Sequence, residues 1–211
     1  MNIIETSWNW NGTLSTRAYT DYIALHHAEC SVCSAADVHS WHKNNGWCGI
    51  GYHFFVRKNG EIYRGRPLNT VGSHVLGMNN RSIGICAEGA YMKETMPYAQ
   101  KLAIAQLLDY LKTNYYPNAK IVGHREIGDS DCPGKNFPLE ELKNYKNILK
   151  GVDSMEFKDV NGHYAKQHIN DLLNMGVVNG DDNGNFNPDK PITRADAAIM
   201  VRNAIRYITG K

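Results

Sequence analysis

The chain has 211 residues and a formal net charge of +2, and its 42% hydrophobic and 21% charged residues are ordinary for a folded, water-soluble protein. This balance excludes wholesale disorder, and no apolar run approaches the roughly 18 residues of a membrane span. The charge is spread evenly, so the chain shows no basic patch of the kind that nucleic-acid binding normally requires.

The N-terminal segment, MNIIETSWNWNG, has no basic start, apolar stretch or small-residue cleavage site. Those features define a secretory signal peptide. We therefore expect synthesis in the cytoplasm without a signal peptide, and action outside the cell then requires another route of release.

Short apolar runs alternate with helical patterns through residues 1–150. The runs predict strands at residues 22–25, 52–56, 82–86 and 120–122, and a turn at 58–60 makes Ile62-Tyr63 a hairpin partner of the second. Helical patterns cover residues 34–43, 99–111 and 139–149, the second with Thr95 as its N-cap. Because strands and helices interleave, we predict an α/β domain with a mixed β-sheet flanked by helices.

A change of composition near residue 151 predicts a domain boundary. Residues 151–156 are the expected linker, and residues 157–211 are a small helical module with two amphipathic helices. The second helix starts at a near capping box, Thr193 to Asp196. The loop at residues 181–188 lacks the ligand spacing of a calcium-binding EF-hand, which favours an ordinary turn.

Two of the nine histidines lie at the ends of predicted strands. His26 and His124 each follow an apolar run, at the edge where α/β sheets usually place their sites. Cys132 comes eight residues after His124, in a turn that can bring its thiolate back to that edge. Two imidazoles and one thiolate suit a catalytic zinc ion, which keeps a fourth position for water. Spacing alone leaves open the alternative of core histidines and a buried thiol.

Five cysteines, an odd number, do not suggest a secreted disulfide framework. Free thiols or metal binding fit better. Cys30 and Cys33 form a CxxC motif with no second pair nearby, so a structural zinc site is the lesser alternative for them.

Several segments recur in the order and spacing of a known family. They are Ile23-Ala-Leu-His-His27, Gly46-Trp47, Gly51-Tyr-His-Phe-Phe55, Gly60-Glu-Ile-Tyr63, Gly65-Arg-Pro67, Ser82-Ile-Gly-Ile85, and Gly123-His-Arg125 with Asp131-Cys-Pro-Gly134. Through them, residues 20–138 resemble type-2 zinc N-acetylmuramoyl-L-alanine amidases, the family of phage amidase-type lysozymes and peptidoglycan recognition proteins. The resemblance implies that His26, His124 and Cys132 bind Zn²⁺. Because adjacent strand residues face opposite ways, His27 is left with a packing or outward-facing role.

The same resemblance implies two residues that act on the reacting amide. Tyr52 occupies the position of the catalytic tyrosine, where a phenol can donate to a developing oxyanion. Ser130 lies where relatives carry Lys or Thr; it can hydrogen-bond a tetrahedral intermediate but supplies no positive charge.

Three further residues are implied in substrate binding. His74 and Asn79 lie where the family lines its glycopeptide groove, although a surface-loop role is the alternative for each. Cys86 stands where cytoplasmic relatives carry a glutamate base. Glu88, two residues further, is therefore either a substitute in the site or a polar strand end.

Residues 157–208 resemble a surface-layer homology (SLH) module. The segments that carry the resemblance are Phe157-Lys-Asp-Val160, His163-Tyr-Ala165, Gly176-Val-Val-Asn-Gly180, Gly184-Asn-Phe186 and Ile192-Thr-Arg-Ala-Asp196. The resemblance implies binding to a secondary cell-wall polymer through Asp159, Gly180 and Arg194, although Arg194 can also be a solvated helix residue. Proteins of this family usually carry three copies of the module. A single copy is therefore expected either to bind weakly or to assemble as a homo-oligomer.

Together these resemblances predict an endolysin-type hydrolase, or a related autolysin, that acts at the Gram-positive cell wall. Its expected reaction is hydrolysis of the amide between N-acetylmuramic acid and L-alanine in peptidoglycan. The alternatives are a non-catalytic peptidoglycan-recognition protein and a self-assembling wall-anchoring protein. A non-catalytic protein would be expected to lack a ligand or the tyrosine, and this sequence keeps them all.

Overall fold

A mixed sheet runs through the N-terminal part of the computed structural model, which describes residues 1–154, 157–181 and 183–209. Within those ranges its six strands are β1 (Ile3–Ile4), β2 (Tyr22–His27), β3 (Phe54–Val56), β4 (Ile62–Arg64), β5 (Ser82–Ala87) and β6 (Lys120–Gly123). Their order across the sheet is β1-β4-β3-β5-β2-β6. The β3–β4 hairpin is antiparallel and the other pairs are parallel, which confirms the predicted mixed sheet.

Helices cover both faces of this sheet. They are α1 (Ala35–Asn44), α2 (Tyr98–Asn114), α3 (Leu139–Lys143) and α4 (Tyr145–Ser154). Phe54 packs in the larger core with α2, α3 and α4, whereas its neighbour Phe55 packs on the opposite face with α1. This alternation follows from the two-residue period of a strand. The central strands are buried on both sides, as their near-continuous apolar sequence predicts.

Three helix boundaries differ from the sequence predictions. Thr95 is not the N-cap of α2; Pro97 is, with an extended backbone (ψ 146°). Because proline disfavours helical geometry in the residue before it, the helix does not extend back through Met96 toward Thr95. The helix predicted at residues 139–149 is two helices. Asn144 separates them, and its side-chain amide donates to the Glu140 carbonyl (2.9 Å).

The predicted linker begins as helix. α4 continues to Ser154, so the first four residues of the 151–156 segment are helical, and residues 155 and 156 lie outside the described residues. The start of α4 is anchored on the core through Tyr145, Ile148 and Leu149. Gly151 disfavours helix by only about 1 kcal/mol, which does not break one that is already anchored.

The C-terminal module has its own small core. Its helices are α5 (Lys166–Asn174) and α6 (Arg194–Thr209), and its buried side chains are Phe157, Val160, Ile169, Val177 and Val178. Thr193 and Asp196 form the expected cap at the start of α6. The Tyr207 hydroxyl donates to the Asn59 carbonyl in the β3–β4 turn (3.0 Å). Within the described residues, no helix combines the length and apolar character needed to cross a membrane.

Glu88, directly after β5, uses its carboxylate to join three segments of the N-terminal domain. Oε1 accepts from the Cys33 N–H (3.0 Å), and Oε2 accepts from the Lys58 N–H (2.9 Å) and from the Arg57 guanidinium (3.2 Å). The residue is 3% exposed. We therefore assign Glu88 a structural role instead of the predicted substrate contact, because both of its carboxylate oxygens already accept hydrogen bonds within the domain.

We expect Glu88→Ala to lower the free energy of unfolding by about 3–5 kcal/mol, because it leaves a charged partner and two N–H groups without their acceptor. Glu141→Ala is the matched control: it removes an exposed ion pair with Lys101 and should cost at most about 1 kcal/mol. Chemical denaturation measures both. If Glu88→Ala left the stability unchanged and weakened substrate binding, the result would contradict the structural role and support a substrate contact.

Candidate metal centre and active site

Two parallel strands bring the predicted histidine ligands together. The register of β2 with β6 ends at Leu25 opposite Gly123, so His26 and His124 are the next residues along the two strands. Their ring centroids lie 4.8 Å apart. Because the strands are parallel, both histidines are delivered to the same edge of the sheet.

Cys132 returns to this edge through the loop that follows His124. The Arg125 N–H donates to the Cys132 carbonyl (2.8 Å), which closes the loop. The thiol sulfur Sγ then lies 3.6 Å from His26 Nδ1. The candidate ligand atoms of His26, His124 and Cys132 all lie within 4.8 Å of one another, and no other cluster of three such donors occurs in the part of the chain that the structure describes.

The two imidazoles are neutral in this environment. Burial lowers the pKa of His26 well below its usual range, and the neighbouring His74 and His124 lower it further. Burial also lowers the pKa of His124. Neutral rings offer the nitrogen lone pairs that a metal requires. Burial raises the pKa of the Cys132 thiol to about 12, an effect that coordination of a divalent cation reverses.

The donor set fits zinc. Tetrahedral bonds of about 2.3 Å to sulfur and about 2.0–2.1 Å to nitrogen place the two donor atoms roughly 3.5 Å apart. The observed separation of Cys132 Sγ and His26 Nδ1 is 3.6 Å. Three protein ligands of this kind, with a fourth position for water, are the arrangement of catalytic rather than structural zinc sites.

Tyr52 lies beside this cluster, just outside β3 rather than within the strand as predicted. Its ring centroid is 5.1 Å from that of His26, and it packs against the smaller core, which includes Phe55 and Cys86. Burial raises the pKa of Tyr52 well above its usual value, and Cys86 and Cys132 raise it further. The phenol is therefore a hydrogen-bond donor at neutral pH.

Ser130 and Asn79 support the loops that carry other site residues. The Ser130 hydroxyl accepts from the Cys132 N–H (3.1 Å), which leaves its own proton available for donation. Asn79 Oδ1 accepts from the N–H groups of His74 and Val75 (2.7 and 2.9 Å). Through that oxygen, Asn79 shapes the His74 loop.

His74 and His27 are both buried, and they lie on different sides of His26. His74 Nδ1 is 3.1 Å from His26 Nε2. His27 Nδ1 accepts from the Tyr91 N–H (3.0 Å), in agreement with a packing role. His27 is not part of the three-ligand cluster.

The sequence analysis did not predict His42 as part of the site. Its ring lies between Trp47 and Tyr52, with centroid distances of 4.6 and 5.5 Å. Burial lowers the pKa of His42 to about 4, so the ring is neutral. His42 is placed here because α1 ends beside the Gly46-Trp47 segment. That family motif is the sequence feature from which the position of His42 could have been predicted.

The CxxC cysteines are not part of the three-ligand cluster. Cys33 is buried, and burial raises the pKa of its thiol to about 12. Cys30 is partly exposed, and both thiols are free.

The predicted wall-binding residues occupy different environments in the C-terminal module. Both carboxylate oxygens of Asp159 accept backbone N–H groups, from Phe186 (2.8 Å) and Asn187 (2.6 Å). A Cβ at Gly180 would lie 2.4 Å from the Phe157 ring, so packing requires glycine there. Arg194 is exposed at the first residue of α6.

Comparisons with known proteins identify the family of each part of the chain. The family model described as N-acetylmuramoyl-L-alanine amidase matches residues 16–135, and the S-layer homology domain model matches residues 156–198. Peptidoglycan-recognition protein SC2 of Drosophila simulans is 31% identical over 160 residues, which cover 68% of this chain and 86% of that protein. The endolysin of Klebsiella phage KP32 is 34% identical over 56% of this chain and 82% of its own length.

The fold is also similar to solved structures. The N-acetylmuramoyl-L-alanine amidase LysC from Clostridium intestinale URNW has a TM-score of 0.66 and 38% identity, and the match covers 70% of this chain and 98% of that one. The endolysin of Thermus scotoductus bacteriophage Ph2119 has a TM-score of 0.61 and 30% identity over 68% and 98% of the two chains. The chain therefore belongs to the N-acetylmuramoyl-L-alanine amidase family, here with an S-layer homology domain on the C-terminal side.

Proposed function

We propose that this protein is an endolysin-type, zinc-dependent peptidoglycan hydrolase that cleaves the amide between the lactyl group of N-acetylmuramic acid and the first L-alanine of the stem peptide. The observation that carries the proposal is the convergence of His26, His124 and Cys132, with a sulfur–nitrogen separation of 3.6 Å. The family match and the similarity to amidases and endolysins support the same reaction.

His26, His124 and Cys132 would hold the zinc ion. Bound at such a site, zinc lowers the pKa of a coordinated water toward about 7 and polarises a carbonyl oxygen. The chain supplies two neutral imidazoles around this position, that of His26 buried and that of His124 partly exposed.

Tyr52 acts on the substrate carbonyl oxygen. Its phenol retains its proton because burial raises its pKa, and it lies on the His26 side of the cluster. A donor aimed at the oxygen that becomes negative stabilises the transition state more than the substrate. Ser130 has a similar role from the Cys132 loop, as a neutral donor.

The C-terminal module places the enzyme on the wall. Its match to the S-layer homology model supports binding of a secondary cell-wall polymer. Arg194 offers a planar guanidinium to an anionic substituent of that polymer. Asp159 and Gly180 shape the loop of the module instead of supplying free polar groups. The chain thus divides into a catalytic domain, residues 1–150, and a wall-binding module, residues 157–211, with separate hydrophobic cores.

For this module we also propose that the chains associate as a homo-oligomer through α6. Val201 and Ile208 on α6 are 60% and 71% exposed, and their spacing of seven residues places them on the same face of the helix. Association of the single module between chains would cover this surface. The protein would act at the cell wall after its release from the cytoplasm.

Digestion of purified peptidoglycan should release new alanine amino termini without new reducing sugar ends, because an amide and no glycosidic bond is hydrolysed. Mass spectrometry of the products, with metal analysis of the same protein sample, measures this. A strong chelator should abolish the release and added zinc should restore it. New reducing ends, or full activity in the chelated protein, would contradict the proposal.

Tyr52→Phe should retain zinc and lower kcat about 10²–10³-fold, the usual loss when one donor to an oxyanion is removed. Tyr63→Phe, which removes a hydroxyl that hydrogen-bonds to Glu61 on the surface, is the matched control and should keep normal turnover. Single-turnover assays with quantified zinc separate the two. Normal kcat in the Tyr52 variant would remove its phenol from the chemistry.

Arg194→Ala should weaken binding to isolated walls about tenfold, as expected for loss of one hydrogen bond to a charged group. Arg202→Ala, an equal change of charge on the same helix, should bind normally. Cosedimentation with walls before and after extraction of the secondary polymer measures this. Equal binding by both variants to intact walls would contradict the role assigned to Arg194.

A further inference from the structure

We infer that His74 is a positioning residue for the metal: it accepts a hydrogen bond from His26 and thereby orients the His26 ring toward the zinc position. The inference deepens the proposed function and rests on its zinc site. It differs from the groove-lining role that the family resemblance implies for His74, because it acts through a ligand and not through the substrate.

The two nitrogens of His26 have different neighbours. Nδ1 faces the Cys132 sulfur at 3.6 Å, and Nε2 faces His74 Nδ1 at 3.1 Å. The Nδ1 lone pair therefore points to the metal position, and the proton of the neutral ring must lie on Nε2. That N–H donates to His74 Nδ1, which makes His74 the acceptor of this pair.

The geometry of the pair gives His74 the acceptor role, because its Nδ1 is the atom that faces His26 Nε2. An imidazole ligand whose second nitrogen donates to an acceptor is fixed in tautomer and ring orientation, and such acceptors typically contribute 10–100-fold in metal affinity.

The surrounding backbone leaves little freedom to the His74 ring. A Cβ at Gly72 would lie 2.4 Å from its Cδ2, and a Cβ at Gly84 would lie 2.7 Å from the same atom. Glycine at both positions therefore gives the ring its space between the loop and β5. Asn79 holds the loop through the His74 and Val75 N–H groups. The result is a His74 residue that is 8% exposed and set edge-on to His26, with an interplanar angle of 85°.

The test compares His74→Asn with His74→Leu in the full-length protein. The two replacements have nearly the same shape, but only asparagine presents an acceptor oxygen near the position of Nδ1. Zinc affinity of the metal-free protein is measured by competition with a chromophoric chelator, and the Co²⁺ spectrum reports the ligand geometry. His39→Leu is the control, because it removes another buried imidazole, which stacks on Trp8 and is outside the three-ligand cluster.

We expect His74→Leu to bind zinc about 10–100-fold more weakly, with an altered Co²⁺ spectrum, and His74→Asn to restore most of the affinity. His39→Leu should bind zinc normally. Equal affinity in wild type and His74→Leu would overturn the inference, as would equal weakening in both His74 variants. If the leucine variant does not fold, His74→Ala provides the replacement without an acceptor.

Kinetics separate this inference from the proposed function. Saturating zinc should restore kcat to His74→Leu with KM unchanged, whereas a groove contact would raise KM at normal zinc affinity. In that second case His74 binds substrate and the amidase proposal stands. Failure of the wild-type protein to bind zinc would instead contradict the proposed function itself.

Discussion

The parallel pairing of β2 with β6 is the constraint on which the site depends. Its register places His26 and His124 at adjacent strand ends, although they are 98 positions apart in the sequence. A one-residue slip would turn the His26 side chain to the opposite face of the sheet. The register is secured by burial, because β2 is covered on both faces and pairs with β5 along its other side.

Burial also sets the chemistry of the site. It favours the neutral forms of His26, His124 and His74 and the protonated form of Tyr52. The same location therefore contains ligands with available lone pairs and a donor that keeps its proton. A solvated site would place these histidine pKa values closer to neutral pH, and part of the ligand set would then be protonated.

The sequence predicted the strands that carry the ligands, because their apolar runs are short and bounded by turn residues. It also predicted that His26, His124 and Cys132 come together, through motifs whose spacing matches a family. It could not predict the partners of Glu88, since Cys33 and Lys58 approach it only through tertiary packing. The contact of His74 with His26 is likewise non-local, and it depends on space left by Gly72 and Gly84. The predicted helix boundaries were wrong at Pro97 and Asn144, where local backbone geometry outweighed the apolar pattern.

The central claim is that two imidazoles and the Cys132 thiolate bind one zinc ion. X-ray absorption at the zinc edge, on the purified full-length protein with one equivalent of zinc, tests it most directly. The account predicts one sulfur neighbour at about 2.3 Å and two imidazole nitrogens at about 2.0–2.1 Å, with a light atom in the fourth position. A shell without sulfur would contradict the account, and so would a shell with two sulfurs, which would place the metal at Cys30 and Cys33.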